Sequence, residues 1–168
     1  MMNTNLTVEH LMRYSKAELV RMLLKETNEK LSKPDLLMGL ISKHLRKYQF
    51  AEVEYFLAIT LDVAGMPIKI HEIGNGIMNH TIISPREVFR AALLDNACSV
   101  IVLHNHPSGI IKPSDDDNRI TKKLTQAGAI LWIALLDHIL IGPNSQYFSY
   151  NESASVEFKE FGKEYDVI

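Results

Sequence analysis

One cysteine, Cys98, stands in the 168 residues, so no intrachain disulfide can form. That excludes a disulfide-stapled secreted scaffold. It also excludes a zinc finger and a zinc deaminase, both of which need clustered cysteines. No excess of positive charge is present: 18 Lys and Arg stand against 20 Asp and Glu, a net charge of −2. Nucleic-acid binders usually carry clustered Lys and Arg, so DNA is expected to bind at most weakly and without sequence preference. Long apolar runs are missing too. The longest, AILWIALL at 129–136, falls well short of the about 20 residues that span a bilayer. The first residues, MMNTNLTVEHLMRYS, have no apolar signal core, and the expected location is the cytoplasm, without membrane association. No G-x-S-x-G, Walker or G-x-G-x-x-G pattern occurs, which leaves out the commonest serine hydrolases, P-loop enzymes and dinucleotide binders.

What is present reads as an ordinary folded chain, 46% apolar and 23% charged, long enough for one domain with a real core and a small extension. Residues 1–48 are expected to form a helical extension. SKAELVRMLLKE opens with Ser15 and Glu18 as a capping box. Leu36, Leu37, Leu40, Ile41 and Leu45 then share one helical face. Lys43, His44, Arg46 and Lys47 crowd its last turn, which suits the negative end of a helix dipole; a phosphate contact is the other reading of that cluster. From residue 49 to 150 the period changes to that of a second domain, and 151–168 is a polar tail.

Within 49–150, strands are expected at 54–62 and 68–74, with a further one at 80–84 (HTIIS). A helix opens at Ser84 with Pro85 in its first turn and Glu87 closing a capping box. SVIVLHNH (99–106) is a strand, and a helix runs from Ser114 to its end at Gly128. Ala129–Gly142 and QYFSY (146–150) supply the last strands. Strands alternating with two helices predict an α/β (α+β) fold with a mixed sheet flanked by helices. Cys98 and Trp132 are expected to pack in or beside buried strands.

Chemistry concentrates in IVLHNHPSGIIKPSDDD, residues 101–117. Side chains two apart on extended backbone share a face, so His104 and His106 can approach one ion. Pro107 and Gly109 turn the chain out, and the next helix's first turn can aim a carboxylate back. Two histidines and one aspartate leave a fourth coordination position open, as catalytic zinc sites do. Each residue also has a purely structural reading. Ser114 with Asp117 is a helix-capping pattern, and Asp115 and Asp116 suit a helix N-terminus. His138, in LDHIL, reads as a hydrogen-bonded core histidine or as support for the site. His10, His44, His71 and His80 have no partner spacing.

The pattern His104, Asn105, His106, Pro107, six residues, Ser114, two residues, Asp117 resembles the JAMM signature of the JAB/MPN metalloprotease superfamily. The longer string LHNHPSG…PS…D is similar to its RadC-like branch, bacterial proteins traditionally labelled as DNA repair proteins. EYFLAITLD, ISPREVFRAALLDNA and LLDHILIG carry the resemblance across about 50–150. It implies a three-layer sandwich related to the cytidine deaminases, and one Zn2+ per chain held by His104, His106 and Asp117. It also implies Ser114 steadying an oxyanion and Glu54 as the base, with Glu52 as the alternative. The implied reaction is cleavage of a peptide or isopeptide bond in an unidentified protein substrate. The other reading is a weakly catalytic or non-catalytic repair module that binds DNA or a partner protein. Two features depart from the pattern. GIIKPS replaces the usual G-D-P-x-P-S, placing Ile110 and Ile111 in the loop, and the first 48 residues lack the G-x-G hairpin of a helix-hairpin-helix module. Oligomeric state is left open.

Overall fold

The computed structural model describes residues 46–76, 83–143 and 146–156. The helices expected around Ser15–Glu26 and Leu36–Leu45, the strand residues before Ile83, and the tail beyond Val156 lie outside them. The described elements are α1 (Arg46–Gln49), β1 (Glu54–Leu61), β2 (Pro67–Gly76), α2 (Pro85–Leu94), β3 (Ser99–Asn105), α3 (Asp115–Leu131), β4 (Ala134–Ile141) and β5 (Tyr147–Ser149). The strands make one mixed sheet in the order β2-β1-β3-β4-β5. β3 and β4 run parallel, joined by the α3 crossover, and the other neighbours are antiparallel. No helix among the described residues is long and apolar enough to cross a membrane.

β3 is buried at all of its positions, the continuous apolar run expected of a strand covered on both faces. On one face Phe56, Ala58, Val100, Val102 and Leu135 pack against Val88, Phe89 and Ala92 of α2 and Leu124 of α3. On the other, Leu57, Ile59, Leu61, Ile101, Leu103, Ile139 and Ile141 pack together with Tyr48 of α1. Burying a side chain of this size contributes about 1.5–3 kcal/mol, so both faces help hold the sheet. Both helices of the first face begin at the end of the sheet where β3 finishes.

Several local expectations give way to tertiary contacts. Ser84 does cap α2, accepting from the Arg86 N–H at 3.3 Å. Glu87, however, turns to the Arg86 guanidinium at 2.9 Å instead of closing the box, because an adjacent cation attracts a carboxylate more than a neutral N–H does. α3 runs past Gly128 to Leu131, and its cap is Trp132 in the left-handed conformation at φ 59°. Gly128 is needed for close approach: a Cβ there would lie 2.5 Å from the Ile133 carbonyl and 3.1 Å from Phe89. Ala129–Leu131 therefore belong to α3, and the strand expected from Ala129 starts at Ala134. Ile83 and Ser84 lie outside any strand. Trp132 is 62% exposed and Cys98 is exposed, against the expectation that both pack.

Candidate metal centre

β3 delivers His104 to the carboxyl end of the sheet on the helix-covered face, where it is 2% exposed. His106 lies just beyond the strand, held by its N–H to the Ile141 carbonyl at 3.1 Å. Its Nδ1 donates to the Ile110 carbonyl at 2.6 Å, which leaves a lone pair on Nε2. The two Nε2 atoms approach to 2.9 Å.

Asp117 reaches the same point from the first turn of α3. Its Oδ2 accepts from the Ser114 N–H and the Ser114 hydroxyl, each at 2.7 Å. Ser114 Oγ in turn accepts from the Asp117 N–H at 3.1 Å, completing a reciprocal cap. Asp117 Oδ1 then lies 3.1 Å from His104 Nε2, and Oδ2 lies 3.6 Å from His106 Nε2. One ligand atom from each of His104, His106 and Asp117 falls within 4.8 Å of the others. Tetrahedral zinc with bonds of about 2.0–2.1 Å needs ligand atoms roughly 3.3 Å apart, so this donor set fits such an ion.

Glu54 opens β1 on the same face, two residues before Phe56, which pairs with His104. Its Oε2 is buried and has no hydrogen-bond partner among the described residues. Asn105 fixes its place: the side chain accepts from the Tyr55 N–H at 2.7 Å and donates to the Val53 carbonyl at 3.0 Å. Both backbone neighbours of Glu54 are thus tied to the strand that carries His104. Glu52 lies on an exposed bend ahead of the strand. Sequence reasoning did not assign a role to Asn105; its only signal was an amide between two histidines.

The electrostatics follow from this geometry. Burial pushes the Asp117 carboxyl up, but His104, His106 and Ser114 outweigh it and hold it far below the usual carboxylate range. Asp117 pushes His106 up, with the Ile110 carbonyl and Glu54 acting in the same direction. His138 is fully buried; burial and the neighbouring His104 hold it well below the ordinary imidazole value. His71 is remote from these groups and pairs with Asp95 at 2.6 Å. Lys47, one of the cations considered for phosphate, pairs with Glu72 at 2.8 Å.

The RadC-like JAB domain family matches residues 31–155. The chain belongs to this family. The match begins inside the stretch expected to be an N-terminal extension. A UPF0758 protein of Shouchella clausii is 46% identical over 112 residues, covering 67% of this chain and 47% of the relative. One from Trichlorobacter lovleyi is 40% identical over 128 residues, covering 76% and 54%. One from Methanosarcina mazei is 36% identical over 133 residues, covering 79% and 56%. The chain spans about half the length of the curated relatives it matches.

In this RadC-like domain the two unusual loop residues have defined places. Ile110 offers its backbone carbonyl to His106, a contact any side chain would permit, and its own side chain is exposed at the rim of the site. Ile111 occupies the space a Cβ at Gly142 would need, at 2.9 Å.

Proposed function

We propose that this RadC-like domain is a zinc-dependent hydrolase that cleaves a peptide or isopeptide bond in a protein or peptide substrate, using one zinc per chain. The observation that carries the reading is the convergence of His104 Nε2, His106 Nε2 and the Asp117 carboxylate, with a buried Glu54 oxygen that has no hydrogen-bond partner among the described residues. Two imidazole nitrogens and a carboxylate this close need a proton or a metal ion between them, and the donor set suits the metal. Glu54, whose charge acts on His106, supports the reading as the proton acceptor.

Zinc, when bound, supplies Lewis acidity that brings the pKa of water to about 7 and polarises a carbonyl. Glu54 takes a proton from the attacking water and returns it to the leaving amine. His104, His106 and Asp117 would hold the ion as its three protein ligands. Ser114 aims Asp117 through the cap, and to steady an oxyanion its hydroxyl would turn its one proton from Asp117 Oδ2 to the reacting carbonyl.

The direct test uses the whole chain, purified, zinc-loaded, and offered peptide and isopeptide-linked protein substrates. Cleavage should stop with a chelator and return with zinc. Zinc-loaded protein that binds substrate yet never cuts it would leave only a binding module.

A further inference from the structure

His104 Nδ1 lies 2.8 Å from His138 Nε2, and His138 Nδ1 lies 2.6 Å from Thr121 Oγ1. Thr121 Oγ1 also lies 2.6 Å from the Asp117 backbone carbonyl. A carbonyl can only accept, so the Thr121 proton goes to Asp117. The hydroxyl's lone pairs are then what it offers to His138, so His138 Nδ1 must carry the N–H. The ring is fully buried, stacked on Tyr150 at 5.1 Å and tilted against Phe56 at 5.5 Å. Such surroundings favour a neutral imidazole, whose Nε2 is then an acceptor. His104 Nδ1 must donate to it. In a neutral His104 the remaining nitrogen, Nε2, then carries the lone pair, and in the metal-free protein a second proton there would be the one that meets Asp117.

We infer that Thr121 and His138 are positioning residues that fix the tautomer of His104, so that its Nε2 always meets a divalent metal ion as a lone pair. The direction of the chain is set at the backbone carbonyl of Asp117, so one aspartate supplies both a ligand oxygen and the reference point for a second ligand's protonation pattern. This inference rests on the metal-centre reading. Removing the hydroxyl frees His138 to move its proton to Nε2. His104 would then accept at Nδ1 and carry its own proton on Nε2, where the ion should bind. Partners behind a metal-bound histidine typically change metal affinity by about 10–100-fold.

The test compares Thr121→Val, which keeps the shape, with Thr121→Ser, which keeps the hydroxyl. Zinc affinity is measured by chelator competition, and the imidazole tautomers are read by 15N NMR on metal-free protein, with a thermal melt to confirm folding. Thr121→Val should bind zinc about 10–100-fold more weakly and show Nε2–H character at His104, while Thr121→Ser should match wild type in both. Wild-type affinity in Thr121→Val with an unchanged His104 tautomer overturns the inference. If wild-type protein takes up no zinc, the metal reading itself fails. The NMR arm still decides the relay, because it needs no metal: a wild-type His104 with no proton on Nδ1 overturns it.

Discussion

His104 Nε2 and His106 Nε2 face each other across 2.9 Å, with an Asp117 oxygen 3.1 Å from the first. With neither a metal ion nor a proton between them, these groups crowd one another. Purified protein is therefore expected to hold about one zinc per chain and to melt at a higher temperature when zinc is supplied. Zinc at 100 times its Kd should add about 2.7 kcal/mol of stability. His104→Ala should lose the ion and this stabilisation while keeping the sheet. Metal analysis and melts with and without chelator check it; absence of zinc uptake by wild type rejects the site.

Glu54 should be separable from ion binding. Glu54→Gln keeps the volume of the side chain but cannot take a proton. Zinc content should remain, while hydrolysis falls by roughly 10²–10⁴-fold. Metal loss in the variant would make Glu54 a ligand instead, and unchanged turnover would remove it from the mechanism.

Ser114→Ala breaks the reciprocal cap. Stability of the metal-free protein should fall by about 1 kcal/mol, within a range of roughly 0.5–2, as read by urea unfolding. Asp117 Oδ2 loses its hydroxyl donor, so zinc affinity should weaken too. Turnover at saturating zinc then separates the roles. A loss of roughly 10²-fold there assigns the hydroxyl to the reacting carbonyl, and no loss confines it to the cap.

Acid should expose a second cluster, far from the metal centre. Burial pushes the Asp95 carboxyl up, but hydrogen bonds from Thr60 and His71, each at 2.6 Å, leave it lowered overall. Its stabilisation is therefore complete above the unfolded carboxyl value of about 3.9 and is lost as pH drops through the lower folded value. Asp95→Asn should be less stable than wild type at pH 7, and the gap should close below about pH 4. A gap independent of pH from 7 to 3 argues that packing alone explains the loss.

The parts of the site that are local in sequence were legible. The His-x-His spacing at the end of an apolar strand and the S-x-x-D start of a helix each have a short-range physical meaning, and the fold brings them together. The assignment of Ser114 and Asp117 to a cap and to a ligand set proved compatible, because one carboxylate oxygen serves the cap while the other faces His104. Asn105, Thr121 and the direction of the His138 hydrogen bonds were not legible, since each depends on a partner from another element. Gly128 misled for the same reason. Its missing side chain makes room for Phe89 and Ile133, neither of which local helix-ending rules consider. Trp132 ended up capping α3 in the exposed left-handed position usually given to glycine.

The bonds from Asn105 to Tyr55 and Val53 join residues 50 and 52 apart in sequence, whereas His104, His106 and Asp117 sit on one strand, loop and helix start. These two kinds of connection differ in the length of chain each must close. The short segment needs only local closure to gather its donors. Seating Glu54 requires closing a long loop that contains β2 and α2, which costs more entropy and pairs more slowly. In loop length, the proposed ligand set is therefore closer to local assembly than the proposed base is. Under the proposed function, cleavage waits for β1 to pair with β3, the step that brings the base to the ligands.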